Sequence, residues 1–110
     1  MQLYLNNKLI STNVKLCNSF FSKLKGLMFS RKLKDNECLI LKNASDIHML
    51  FVFQKIDVVW LNKSKNVIDK KENIKPFNPL IKPKTKSYYV IELPLKKAKL
   101  FILGNRVDFR

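Results

Sequence analysis

The sequence predicts an α+β fold, mostly strand, with one main helix near residues 19–29 and a second, short helix near 95–100. Short apolar or alternating runs recur along the chain, separated by Asn, Ser, Pro and charged residues, which is how buried and half-buried strands read. Phe20, Phe21, Leu24, Leu27 and Met28 instead fall at helical spacing on one side, the pattern of a helix laid on a core. At 110 residues and 46% hydrophobic, the chain has the length of one domain, 1–110, and can bury a core without disulfides or metal.

The elements follow in order. Gln2 to Ile10 reads as two short strands around Asn6-Asn7, because Asn tolerates the positive φ of a tight hairpin turn. Asn13 to Leu16 alternates polar and apolar as a half-buried strand does, and Asn18 or Ser19 can cap the helix from Phe20 to Phe29. Gly26 costs that helix about 1 kcal/mol relative to Ala, so its place there calls for a close approach by a neighbour. Arg31 to Glu37 is a charged connection, and Cys38 to Leu41 is short and apolar enough for a central strand. Ile47 to Phe53 and Ile56 to Leu61 are apolar on both faces, and read as paired strands at the centre of the core. Val67-Ile68 resumes a strand after the polar turn Asn62 to Asn66. The segment Lys75 to Lys86, with Pro76, Pro79 and Pro83, is a loop. Tyr88 to Leu93 is a further alternating strand, Pro94 to Leu100 starts with a residue accepted in a first helical turn, and Gly104-Asn105 turns the chain into a last strand, Arg106 to Phe109.

Four blocks stand out in this order: Gly26-Leu27-Met28, Ile47-His48-Met49, Ile56-Asp57-Val58-Val59 and Val90-Ile91-Glu92-Leu93-Pro94. Their order and spacing resemble the DUF192 family, a small domain of unknown function, over about Val14 to Val107. What the resemblance implies is a compact, mainly antiparallel, barrel-like β fold whose one well-formed helix carries Gly26-Leu27-Met28. It also implies that His48, Asp57, Glu92 and Gly104 are the positions to follow, that Arg31 stands where relatives carry a basic residue, and that Phe77 stands where they carry an aromatic one in a Pro-containing loop. The chain departs from the family at Asn105, where Asp is usual, and at Lys96-Lys97 after Leu93-Pro94-Leu95.

Composition narrows the function classes. With Gly26 and Gly104 the only glycines, no Gly-rich phosphate loop can be written, which excludes P-loop and dinucleotide enzymes. Cys17, Cys38 and His48, with no C-x-x-C or H-x3-H pair, are a poor inventory for zinc, so no metal and no cofactor is expected. The most apolar stretch, Ile47 to Leu61, is interrupted by His48, Gln54, Lys55 and Asp57, so no membrane span is expected. The first ten residues lack a long apolar h-region, so no leader is expected, and the expectation is a cytoplasmic chain with reduced thiols and no membrane partner. A formal net charge of +14, nearly all of it lysine, attracts phosphate polymers. It equally fits a solvated lysine surface of a chain from a hot habitat.

His48 is the sole side chain whose ordinary pKa lies near neutrality, and so the sole candidate for a neutral-pH base; a hydrogen-bonded structural role is the plainer reading. Asp57, in an apolar strand, needs donors or a solvent-filled pocket. If Gln54-Lys55 were a two-residue hairpin turn, His48 and Asp57 would share a face about 13 Å apart, able to line one groove but not to bond. Glu92 shares a face with Tyr88 and Val90, Arg31 could hold a carboxylate or an anionic ligand by its planar fork, and Phe77 is the aromatic residue expected to be exposed. Lys82, Lys84 and Lys86, with Lys96, Lys97 and Lys99, could form a basic patch beside Phe77 of the kind single-stranded nucleic acid prefers. Three functions follow from these residues. The first is a non-catalytic binding module with a groove lined by Arg31, His48, Asp57, Phe77 and Glu92 for an anionic small molecule or polymer. The second is a nucleic-acid-associated basic protein using the lysine loops, and the third is a small hydrolase built on His48 and a carboxylate.

Overall fold

The computed structural model describes residues 1–110, the side chain of Phe20 excepted. β1 (Leu3–Leu5) and β2 (Lys8–Ser11) form the opening hairpin, with Asn6 and Asn7 at φ 49° and 67° in its turn. β1 also pairs antiparallel with the last strand, β8 (Val107–Phe109), which makes a three-stranded sheet in the order β2-β1-β8. The second sheet contains β3 (Asn13–Cys17), β4 (Glu37–Lys42), β5 (Ile56–Leu61), β6 (Val67–Ile74) and β7 (Tyr89–Leu93), in the order β3-β4-β7-β5-β6. Every neighbour in it is antiparallel except β3 and β4. A parallel pair cannot be joined by a tight turn, and the crossover between β3 and β4 carries the helix, α1 (Phe20–Lys25).

The five-stranded sheet is covered on both faces, so successive residues of β5 enter different clusters. Val59 and Leu61 pack with Leu3, Ile91, Phe101 and Val107, beneath the three-stranded sheet. Val58 and Trp60 pack with Leu39, Met49 and Val90, on the side of Leu27. All six residues of β5 are buried, as a strand apolar on both faces requires, and Asp57 is buried among them. Cys17 belongs to the second cluster and Cys38 to the first, both as free thiols, and burial pushes the Cys38 thiol up to about 12.

Four expectations change. The sheets do not close into a barrel: β3 and β6 end the five-stranded sheet, and no pairing joins them. The main helix stops after Lys25. Ser19 caps it, with the capping box completed by Ser22, and Gly26 ends it at φ 45°, ψ −118°, so that Leu27 to Ser30 continue as turns. Its apolar side therefore reaches the core only in part, with Leu27 buried but Phe21 and Leu24 78% and 49% exposed. The helix near 95–100 is a single 3-10 turn, Ala98–Leu100. Finally, Ile47 to Phe53 is not a strand, because β6 and β7 already occupy both edges of β5. The segment instead bonds to the proline-rich loop, through an antiparallel bridge of Ile47 with Ile81 and through Met49 N–H to Asn78 O at 2.7 Å. Ile47, Met49 and Val52 are nonetheless buried, which accounts for the apolar pattern.

Candidate functional site

A cavity of about 340 Å³ opens between the end of α1 with Gly26 and Leu27, Leu41 of β4, and the segment Asn43 to His48. Glu92 belongs to its lining. In β7 this residue stands in register with Leu39 on one side and Val58 on the other, so it occupies the middle of the sheet on the face of Leu39, Val58 and Trp60. The residue is 4% exposed, its Oε1 has no hydrogen-bond partner, and burial alone pushes the carboxyl up to about 7. At neutral pH the group is thus poised between its protonated and ionised forms within the sheet, able to give a proton to a hydrogen bond or to take one.

Gly26 passes directly over it. A Cβ on residue 26 would stand 3.4 Å from Glu92 Oε1 and 3.7 Å from Lys23 O, and the backbone there has φ +45°. The space alone tolerates a methyl group; the backbone does not, because L-residues are strongly disfavoured at that φ and ψ. Gly26→Ala is expected to lower stability by about 1–3 kcal/mol, read from urea unfolding at constant slope. An unchanged midpoint would show that the turn over Glu92 relaxes freely.

His48 also lines the cavity. Its Nδ1 accepts the Leu50 N–H at 3.1 Å, so Nε2 carries the proton and donates it to Leu24 O at 3.2 Å. Leu24 O is one of the carbonyls that a helix end leaves without an intrahelical donor. The imidazole therefore ties the 47–53 segment to α1, and neither ring nitrogen is left to act on a substrate. Lys23 and Lys25 stand at the cavity, with Lys23 Nζ donating to Asn43 O at 3.3 Å.

The other expected site residues lie elsewhere. Asp57 is on the opposite face of the sheet from Glu92 and is fully satisfied: Oδ1 accepts Asn73 N–H at 2.9 Å and Oδ2 accepts Ala98 N–H at 3.0 Å. Arg31 makes a two-pronged pair with Glu37, 2.7 Å at each prong, and this hydrogen bonding holds the Glu37 carboxyl down to about 2. Phe77 joins Phe53, Phe29 and Phe51 in a ring cluster open to solvent. Of the five residues assigned to one groove, only His48 and Glu92 line the cavity. The lysines divide as well. Lys82, Lys84 and Lys86 line a shallow depression with Ser45 and Asp46, where Asp69 accepts the Lys84 N–H. Lys96 and Lys97 precede the 3-10 turn and Lys99 lies within it, and Lys70 Nζ donates to Ala98 O of that turn at 3.1 Å. Asp69 and Lys70 are consecutive in β6, paired with Trp60 and Val59 of the two clusters, so these lysine groups lie on opposite faces of the sheet. Lys97 also pairs with Asp35 at 3.2 Å.

The sequence reading missed Lys23, Asn43 and Asp46 as cavity residues, and missed the exposed ring cluster. The first three carry no signal in sequence, since their meeting depends on a crossover of unknown path. The rings did carry one: Phe51 and Phe53 alternate with buried Met49 and Val52 less regularly than a two-sided strand requires. Among the described residues no group of three His, Cys, Asp or Glu is placed to hold a metal, and no helix is long and apolar enough to cross a membrane.

Residues 2–109 match the family model DUF192, described as an uncharacterized ACR. A UPF0127 protein of Thermococcus sibiricus is 36% identical over 93 residues, which cover 80% of this chain and 58% of that one. A second, from Thermococcus kodakarensis, is 37% identical over 74% of this chain and 54% of its own. This chain thus spans a little over half the length of the Thermococcus relatives. A UPF0127 protein of Pyrococcus furiosus is 35% identical over 93% of this chain and 90% of its own length. Among solved structures, a protein of unknown function from Novosphingobium aromaticivorans superposes with a TM-score of 0.79 at 19% identity, over 87% of this chain and 74% of that one. A putative transcription regulator from Sinorhizobium meliloti also superposes with a TM-score of 0.79 at 19% identity, over 86% and 79%. At that identity the two structures speak for the fold alone. With Gly26 and Leu27 of one block, Ile47 and His48 of another and Glu92 of a third lining one cavity, and with the family match running almost end to end, the chain belongs to the DUF192 family.

Proposed function

We propose that the protein is a non-catalytic binding module whose cavity takes the anionic group of a small molecule. The observation that carries this reading is Glu92: a buried carboxyl oxygen with no partner is destabilising, and here it adjoins a cavity from which a ligand can supply the missing bond. The charge of +14, with Lys23 and Lys25 against Asp46 at the cavity, favours an anion over an amine. Glu92 then serves in its protonated form, giving its O–H to an oxygen of the ligand. Because both nitrogens of His48 are engaged by backbone groups, binding has more support than hydrolysis. The separation of the two lysine groups, and the Lys97 pair with Asp35, leave the nucleic-acid reading with less.

Calorimetric titration with inorganic phosphate and with small carboxylates tests this. Saturable binding is expected near pH 6, weakening by up to about tenfold per pH unit above pH 7 as Glu92 ionises and repels the anion. Glu92→Gln should keep the binding and lose most of that pH dependence. Saturable binding of methylammonium that strengthens with pH, with no response to either anion, would reverse the assignment.

A further inference from the structure

Independently of the cavity, we infer that the ring cluster of Phe29, Phe51, Phe53 and Phe77 is a docking surface for an anionic lipid bilayer. The rings come from three separate segments and touch in sequence: Phe51 stacks on Phe29 at 5.2 Å, Phe29 meets Phe53 at 6.1 Å, and Phe53 meets Phe77 edge to face at 5.3 Å. They are 49–67% exposed, and Leu50 beside Phe51 is exposed as well. Clustered apolar surface of this kind marks an interaction site, whereas scattered exposed residues do not.

The backbone gives a second reason. Phe29, Phe51 and Phe77 have φ of 58°, 58° and 64°, the left-handed region that bulky side chains rarely enter. Hydrogen bonds knit the three segments beneath the rings, with Phe29 N–H bonded to Phe51 O at 2.9 Å and Phe77 N–H to Met49 O at 2.8 Å. Asn or Gly would occupy those positions with less strain, yet three of the four rings are held there and turned outward. Strain retained at one cluster points to a use for that cluster.

Charge selects the partner. The stretches 26–34, 47–56 and 73–86, which supply the rings, contain no Asp or Glu, while Lys32, Lys55 and Lys75, two or three residues from a ring in sequence, are exposed, on a chain of net charge +14. A second copy would meet like charge. Single-stranded nucleic acid would want free ring faces, but Phe29 and Phe51 cover one another and Leu50 offers no ring. Apolar side chains that enter the acyl boundary, with lysines at the level of anionic headgroups, match a bilayer surface. Such docking requires no membrane span, the feature whose absence led the sequence reading to set a membrane aside.

The test is flotation of the full chain with phosphatidylcholine vesicles, with and without phosphatidylglycerol. Wild type is expected to bind the phosphatidylglycerol vesicles and to be released as salt rises toward about 0.5 M. Phe29→Asn, Phe51→Asn and Phe53→Ser should each lower that binding by about tenfold. The two Asn variants also remove strain, so their thermal midpoints should hold or rise, which separates lost binding from lost folding. Equal vesicle binding by wild type and variants, or none by wild type, overturns the proposal. So does ring-dependent binding of single-stranded oligonucleotide, or ring-dependent dimerisation, without vesicle binding.

Discussion

Replacing Asp57 by Ala should lower the stability of this protein by about 3–4 kcal/mol, although the residue lies far from the cavity. Its two carboxylate oxygens accept the N–H groups of Asn73, at the end of β6, and of Ala98, which opens the 3-10 turn. The second of these bonds is buried, and with the side chain truncated the Ala98 donor would have neither protein nor water to turn to. Asn73 is exposed and can recover water, which keeps the cost below that of two orphaned donors. Asp57→Asn retains one acceptor oxygen and should cost about half as much. Urea unfolding followed through the single, fully buried Trp60 measures both. A loss for Asp57→Ala within the roughly 0.5 kcal/mol of an ordinary surface change would mean that these bonds do not hold the 3-10 turn.

Glu92 should act with the opposite sign. Below about pH 4.5 its carboxyl is protonated whether the chain is folded or not, and burial then costs little. Between about 4.5 and about 7 the unfolded chain has released the proton while the folded chain keeps it, so the unfolded state gains with each unit of pH. The slope is about 1.4 kcal/mol per pH unit, and the accumulated cost to folding above pH 7 is on the order of 3 kcal/mol. Glu92→Gln removes the ionisation. Its stability relative to wild type should therefore rise by about that amount from pH 4 to pH 8, measured in paired urea titrations. A difference that stays flat over this range would indicate that Glu92 finds a cation or water in solution and does not remain buried and alone. A carboxyl that costs stability at neutral pH, set at a cavity, is the kind of group that a binding function retains against the interest of folding.

Much of the architecture was legible in the sequence because its signals are local. Asn6-Asn7 specified the first turn, since few other residues accept positive φ twice in succession. Ser19, one of the two expected caps, caps the helix, and the residues of β5, apolar on both faces apart from Asp57, revealed a strand covered on both sides. The errors came from pairing. Ile47 to Phe53 has the composition of a strand, but a strand also needs a free edge, and β5 had none left to offer. The helix was drawn too long because Leu27 and Met28 continue its spacing, while the break at Gly26 depends on the chain having to turn across Glu92.

The sequence by itself determined which residues are apolar, where the chain turns, and which carboxylates and basic residues are available; through the order of its motif blocks it also determined the family. It did not determine faces. Asp57 and Glu92 lie on adjacent strands of one sheet, one residue apart in register from each other's partner, and the alternation of side chains sends them to opposite sides. That single step makes Asp57 a fully bonded support for the 3-10 turn and Glu92 an unpartnered acid beside a cavity. Only the tertiary structure decides it, because the register between β5 and β7 is fixed by which of their residues the two clusters bury, and a shift of one residue would pair Asp57 with Glu92 and put both carboxyls on one face.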